Sequence, residues 1–202
     1  MEEMPERGKL TGRKRGTTRL GIAAAGAALV LFALPLASGG QVQASADGAK
    51  TMPERRAGAS TGLPVPRFVS LKSGKANVRR GPGTDFPIDW VYIKSGVPLE
   101  VIAESNNWRR IRDHEGDGGW IWHTMLGGER TAIVDAAGAD GTPVALHAGP
   151  RGDAAVVAYA EMGYVARVRS CRAEWCQLDI RGLEGWIPQD RLWGIYPGES
   201  FE

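Results

Sequence analysis

Two cysteines, three histidines and seven tryptophans carry the most distinctive chemistry in this 202-residue chain. Cys171 and Cys176 flank Arg172-Ala173-Glu174-Trp175. The C-x4-C spacing lacks the C-x-x-C geometry and helix N-terminus of a redox pair. Two thiolates with no histidine nearby also fall short of the four ligands of a structural zinc site. Across a hairpin turn, however, two cysteines reach the roughly 4.4–6.8 Å Cα separation of a disulfide. A structural disulfide between Cys171 and Cys176 is the expectation. Because its loop is small, its stabilisation is expected toward the low end of a few kcal/mol. His114, His123 and His147 form no ligand spacing with one another and are expected at the surface. No G-x-S-x-G, H-E-x-x-H, Gly-rich phosphate loop or paired-carboxylate context occurs. The chain is therefore expected to hold no catalytic residue, metal or cofactor.

The tryptophans all follow Asp89. Trp90, Tyr92 and Trp122 lie near Arg79, Arg80 and Asp85, and these six residues form the candidate ligand-binding set. Exposed rings would stack on flat apolar faces of a peptide or glycan while the charges fix its orientation. The other reading is that these rings fill a small core. Trp120 and Trp186 have apolar neighbours and read as core. Trp108 and Trp175 are harder to place. If Ile111 and Leu178 face inward, strict alternation puts both tryptophans on the opposite face. A bulge would restore the parity, a loop could cover them, or they are exposed aromatic surface.

The elements that must position these residues come in two copies. Gly81-Pro82-Gly83-Thr84-Asp85 answers to Gly149-Pro150-Arg151-Gly152-Asp153. Gly96 answers to Gly163, Trp108-x-x-Ile111 to Trp175-x-x-Leu178, and Gly119-Trp120-Ile121 to Gly185-Trp186-Ile187. Within a copy the segments are short and β-like. Leu99–Glu104 is one strand, Ser105-Asn106-Asn107 a turn, Trp108–Arg112 a second strand and Gly119–His123 a third. Thr124–Leu126 reads as one closing helical turn. So many strands in so short a copy imply a small, strongly bent sheet, since an open one would leave exposed edges. Leu99–Glu104 has no proline, so strand addition there is conceivable.

Ala76-Asn77-Val78-Arg79-Arg80-Gly81-Pro82-Gly83-Thr84-Asp85-Phe86 resembles the opening motif of bacterial SH3-like domains. Gly96, Trp108-x-x-Ile111 and Gly119-Trp120-Ile121 follow in that family's order. The second copy departs from it, with Val144-Ala145-Leu146-His147-Ala148 at the opening and no aromatic after Asp153. The resemblance implies an all-β protein of two tandem small SH3-like barrels, five- or six-stranded, spanning 67–130 and 131–196, with a tail at 197–202. It also implies a cell-envelope location and a wall- or peptide-binding role.

Upstream, Arg13, Lys14, Arg15 and Arg19 precede an uncharged apolar run, Leu20–Leu36, and then Ala44-Ser45-Ala46. This is the pattern of a secretory signal over 1–46, or of an uncleaved signal anchor. Residues 47–66, rich in Ala, Gly, Ser, Thr and Pro, read as a disordered linker. After Ala46 the chain carries 19 basic and 20 acidic residues, which leaves no surplus to draw a phosphate backbone. The expected protein is exported to the periplasm or envelope. It binds peptidoglycan or an envelope protein, without catalysis or nucleic acid, and meets the membrane only through an uncleaved signal segment. The other expectation is a structural or regulatory module that pairs with an exported protein through sheet edges.

Overall fold

The computed structural model describes residues 8–9, 52–135 and 142–202. The expected signal segment, apart from Gly8–Lys9, and residues 47–51 lie outside them. The described strands are short. They are β1 (Gly8–Lys9), β2 (Arg56–Ala57), β3 (Pro64–Val65), β4 (Arg67–Leu71), β5 (Ala76–Arg79), β6 (Ile88–Tyr92), β7 (Pro98–Ser105), β8 (Trp108–Arg112), β9 (Gly118–Trp122) and β10 (Leu126–Gly127). The second copy supplies β11 (Thr131–Val134), β12 (Val144–His147), β13 (Val156–Ala160), β14 (Val165–Arg172), β15 (Trp175–Ile180), β16 (Leu183–Pro188) and β17 (Leu192–Trp193). A 3-10 turn follows β9 at His123–Met125 and another follows β16 at Gln189–Arg191.

The first sheet runs β1-β6-β5-β9-β8-β7-β4-β10 and the second β13-β12-β16-β15-β14-β11-β17. Leaving out β1, the two orders correspond strand for strand, so the duplication read from the motifs is a duplication of topology. In both copies the long strand, β7 or β14, breaks register with its hairpin partner, between Val101 and Ala103 or between Val168 and Ser170. Each irregularity adds a residue to one side and sharpens the bend that wraps the sheet round its core.

Alternation decides which residues fill that core. Val78, Leu99, Val101, Ile111 and Ile121 are buried in the first barrel, and Leu146, Val168, Leu178 and Ile187 in the second. The repeated Gly-Trp-Ile puts its glycine on the core face. A Cβ on Gly119 would stand 2.4 Å from Val78 Cγ1, and one on Gly185 would stand 2.8 Å from Leu146 Cβ. Gly96 and Gly163 recur because the chain turns into β7 and β14 with φ of +81° and +77°, a region closed to most side chains.

Three segments differ from their sequence reading or extend it. The expected linker is ordered from Arg56: β2 and β3 form a hairpin that docks on the first barrel, with Val65 in its core. Composition hid this because the anchor is polar. The Glu104 side chain, with no accessible surface, accepts hydrogen bonds from Ser60 N (3.0 Å), Thr61 N (2.9 Å), Thr61 Oγ1 (2.8 Å) and Arg67 (2.8 Å). Burial pushes the Glu104 pKa up, but the hydrogen bonds from Thr61, Arg67 and Ser60 outweigh it and hold the group at about 2.

The C-terminal tail is docked as well. Phe201 and Cys171 exchange backbone hydrogen bonds of 2.8 and 3.0 Å. The Glu199 carboxylate receives both Arg130 amino groups (2.8 and 2.9 Å). Burial opposes its charge, yet Arg130 and the Tyr196 amide keep its pKa below the usual carboxylate range. Cys171 and Cys176 form the expected disulfide, as directly paired residues of the β14–β15 hairpin. The turn that closes it, Ala173-Glu174, has both φ values positive (48° and 63°).

The seam between the barrels is aromatic. Phe68 packs against Trp193 and Tyr196, with centroids 5.0 and 4.6 Å apart. The Tyr196 hydroxyl donates to Glu100 Oε1 at 2.9 Å across the seam. Burial and the Glu100 charge together push this phenol well above its ordinary pKa.

Candidate functional site

Because Ile111 and Ile121 face the core of the first barrel, their strand neighbours must face out. In β8 these are Trp108, Arg110 and Arg112, and in β9 they are Trp120 and Trp122. Register places Trp108 opposite Trp122 and Arg110 opposite Trp120, while Arg79 of β5 lies on the other side of Trp120. The result is an aromatic strip with cations along it. Trp122 is 36% exposed and Trp120 half-buried. Trp108 is only 8% exposed, covered in part by the Trp122 ring, whose centroid is 5.3 Å away in an edge-on arrangement. The bulge in β7 leaves the parity of β8 unchanged. Trp108 is an outward ring covered by a neighbour.

Arg79 is held in place by its own loop: its Nη1 donates to the carbonyls of Thr84 (3.0 Å) and Phe86 (2.6 Å). Arg112 is committed to Glu100, with its Nε 2.9 Å from Glu100 Oε2. Arg110 is exposed next to Trp120. The strip thus offers flat apolar rings and at least one guanidinium with hydrogen-bonding capacity to spare.

Of the six candidate residues, this face unites Trp122 and Arg79. Trp90 and Tyr92 are a correction. They are 7% and 4% exposed and lie in the core, because β6 turns them toward Val78 and Ala76. The Tyr92 hydroxyl donates to the buried Asp113 (3.0 Å), which leaves the ring no surface for a ligand. Arg80 pairs with Asp89 at the surface (3.1 Å), and Asp85 is exposed in the loop before β6. Trp120, read as core, is half-buried on the outer face, while Trp186, also read as core, is buried at 7% exposed although it too faces away from the inward Gly185 and Ile187. Leu99–Glu104 offers no edge for strand addition, because β7 pairs with β8 on one side and β4 on the other. Arg110 and Trp120 were missed, although Trp-x-x-Ile and Gly-Trp-Ile, with strict alternation applied, carry the signal that would have found them.

The second barrel repeats the face with other residues. Trp175, Gln177, Trp186 and Pro188 face out, and His147 stands where Arg79 does. The His147 ring meets Trp175 edge-on at 5.4 Å, and its Nδ1 lies 2.9 Å from the Ala154 carbonyl. The Arg172 guanidinium lies 4.6 Å over the Trp186 ring. Among the described residues, no group of three or more His, Cys, Asp or Glu side chains is placed to hold a metal ion.

Two stretches of the chain, residues 72–128 and 140–194, each match the bacterial SH3 domain family. No curated protein matches the chain. Among solved structures it is similar to NlpC2 from Trichomonas vaginalis, at 13% identity over 64% of this chain and 48% of that one, with a TM-score of 0.29. It is also similar to NlpC1 from the same organism, at 14% identity over 72% of this chain and 51% of that one, again with a TM-score of 0.29. The chain spans about half the length of these two proteins. Strand order, repeated motifs and the two family matches agree: this chain belongs to the bacterial SH3 domain family and carries two copies of the domain in tandem.

Proposed function

We propose that the protein is an exported, non-catalytic binding module of the cell envelope, and that the outer face of its first barrel recognises peptidoglycan. The observation that carries this is the pair of outward rings Trp122 and Trp120, with Trp108 backing Trp122 from beneath and Arg79 and Arg110 alongside. Flat rings suit the apolar faces of sugar rings, and guanidinium groups suit the carboxylates of wall peptides. Export is supported by the basic–apolar–Ala-x-Ala segment and by the Cys171–Cys176 disulfide, which belongs to an oxidising compartment. The same disulfide leaves neither cysteine free to act as a nucleophile.

The test is sedimentation of the purified full-length chain with isolated sacculi at low and high salt, beside Trp122→Ala. Trp122 is partly exposed, so the variant is expected to fold. The expected result is salt-tolerant binding that weakens roughly 30-fold in the variant, the effect of losing a hot-spot ring worth about 2 kcal/mol. Absence of sedimentation at both salt concentrations refutes the proposal.

A second reading, pairing with an exported protein, is favoured by β13. This edge strand of the second sheet leaves Val156, Val157 and Tyr159 exposed, the last at 68%, and carries no charge or proline to discourage a partner strand. Binding that survives Trp122→Ala but is lost in Val157→Lys would select this reading.

A further inference from the structure

We propose that Arg172 is a cover built into the second barrel, so that the protein has one open aromatic platform and one closed by its own side chain. This inference rests on the outer face being the binding face. The two platforms superpose by register. Ser105 pairs with Trp108, which pairs with Trp122. Arg172 pairs with Trp175, which pairs with Pro188. Residue 105 of the first barrel and residue 172 of the second therefore occupy the same place, beside the outward tryptophan of the following strand.

What stands at that place differs in reach. Ser105 has a single heavy atom beyond Cβ and cannot extend over Trp120. Arg172 extends its planar guanidinium over Trp186, 4.6 Å from the ring. The exposure follows: Trp186 is 7% exposed, whereas Trp120 is half-buried with no guanidinium over it among the described residues. A guanidinium and a sugar ring compete for the same flat apolar surface. Any ligand for Trp186 must first displace Arg172 and give up its cation–π contact, a handicap of about 5- to 30-fold in affinity. The residue at this register thus helps to decide which copy binds, together with Pro188 in place of Trp122.

Exchanging the two residues tests this in the full-length chain, with Arg172→Ser and Ser105→Arg. The first readout needs no ligand. Acrylamide quenching and the indole N–H resonances are expected to show Trp186 more accessible in Arg172→Ser and Trp120 less accessible in Ser105→Arg. The second readout is saturation binding to sacculi. Ser105→Arg is expected to weaken binding about 5- to 30-fold, while Arg172→Ser leaves the amount bound at saturation, which the wall sites set, unchanged. The proposal is overturned if Trp186 stays as protected in Arg172→Ser as in the parent. It is equally overturned if Ser105→Arg makes Trp120 less accessible without weakening binding while the parent still binds through Trp122. If the parent does not sediment at all, the binding reading itself fails and Arg172 gates nothing, whatever the quenching shows.

Discussion

Replacing Glu104 with Gln should uncouple the N-terminal hairpin from the first barrel and leave a signature in pH. Glu104 accepts four hydrogen bonds, from Ser60 N, Thr61 N, Thr61 Oγ1 and Arg67, and its Oε1 also lies 3.5 Å from Arg109 Nε. Its pKa falls from the ordinary 4.5 to about 2, which corresponds to about 3 kcal/mol of preference for the charged form in the folded state. Breaking a buried ion pair from one side typically costs about 3–5 kcal/mol. Glutamine keeps one acceptor oxygen, so the lower figure is expected at pH 7. The folded pKa lies below the unfolded one. This contribution is therefore present above about pH 4.5 and is lost as pH falls from there through about 2. Glu199, also depressed, titrates in both proteins and cancels in the difference. Urea unfolding followed by tryptophan fluorescence at pH 7, 5, 3 and 2 measures the gap between parent and Glu104→Gln. It should be about 3 kcal/mol at pH 7 and close toward zero at pH 2. Trypsin should also cut the variant sooner at Arg55 or Arg56. A gap that stays the same from pH 7 to pH 2, or no gap at pH 7, refutes the assignment of Glu104 as the charged anchor.

Two further outcomes follow from the packing. Gly119→Ala drives a methyl to 2.4 Å from Val78 Cγ1 and should destabilise the first barrel by about 1–3 kcal/mol in chemical denaturation, while Gly116→Ala, which meets nothing within 4 Å but has positive φ, reports strain alone. Replacing both cysteines with serine opens a loop of sequence separation 5 and should lower the stability of the second barrel by about 2 kcal/mol, with the melt of the parent under reductant shifting toward that of the variant.

What could be read from the sequence was whatever recurs. The glycines of Gly-Trp-Ile and the turn glycines Gly96 and Gly163 are demanded by backbone approach and by φ, so they survive duplication and mark the fold. The cysteine pair could be placed because the repeat had already put a hairpin turn between them. Side-chain direction was less legible. Trp120 and Trp186 look like core residues by type, and only the inward glycine and isoleucine on either side reveal that they face out. Trp90 and Tyr92 look like a ligand platform by type but fill the first core. The hairpin at 56–65 was invisible because its anchor is one carboxylate 43 residues downstream of Thr61, and composition does not record such a pairing.

The same register comparison explains why the two copies have diverged. Val78 and Ala76 of β5 pair with Trp90 and Tyr92, whereas Leu146 and Val144 of β12 pair with Ala158 and Ala160. At two core positions the second barrel has methyl groups in place of large aromatic side chains. Removing a buried aromatic side chain typically costs about 3–5 kcal/mol, so a second copy with only that change would be poorly stable. The second barrel contains what the first lacks: a disulfide across the β14–β15 hairpin, worth about 2 kcal/mol, and a C-terminal tail clipped to Cys171 through Phe201 and to Arg130 through Glu199. The disulfide and the docked tail meet at Cys171 from opposite sides of β14, and Arg172, the side chain over Trp186, is the next residue along that strand. The covalent staple that offsets the thinner core therefore also fixes the backbone from which the cover extends. Opening the disulfide by the double serine replacement is therefore expected to raise the accessibility of Trp186 as well as to lower stability, and unchanged acrylamide quenching of Trp186 would show that the staple and the cover act separately.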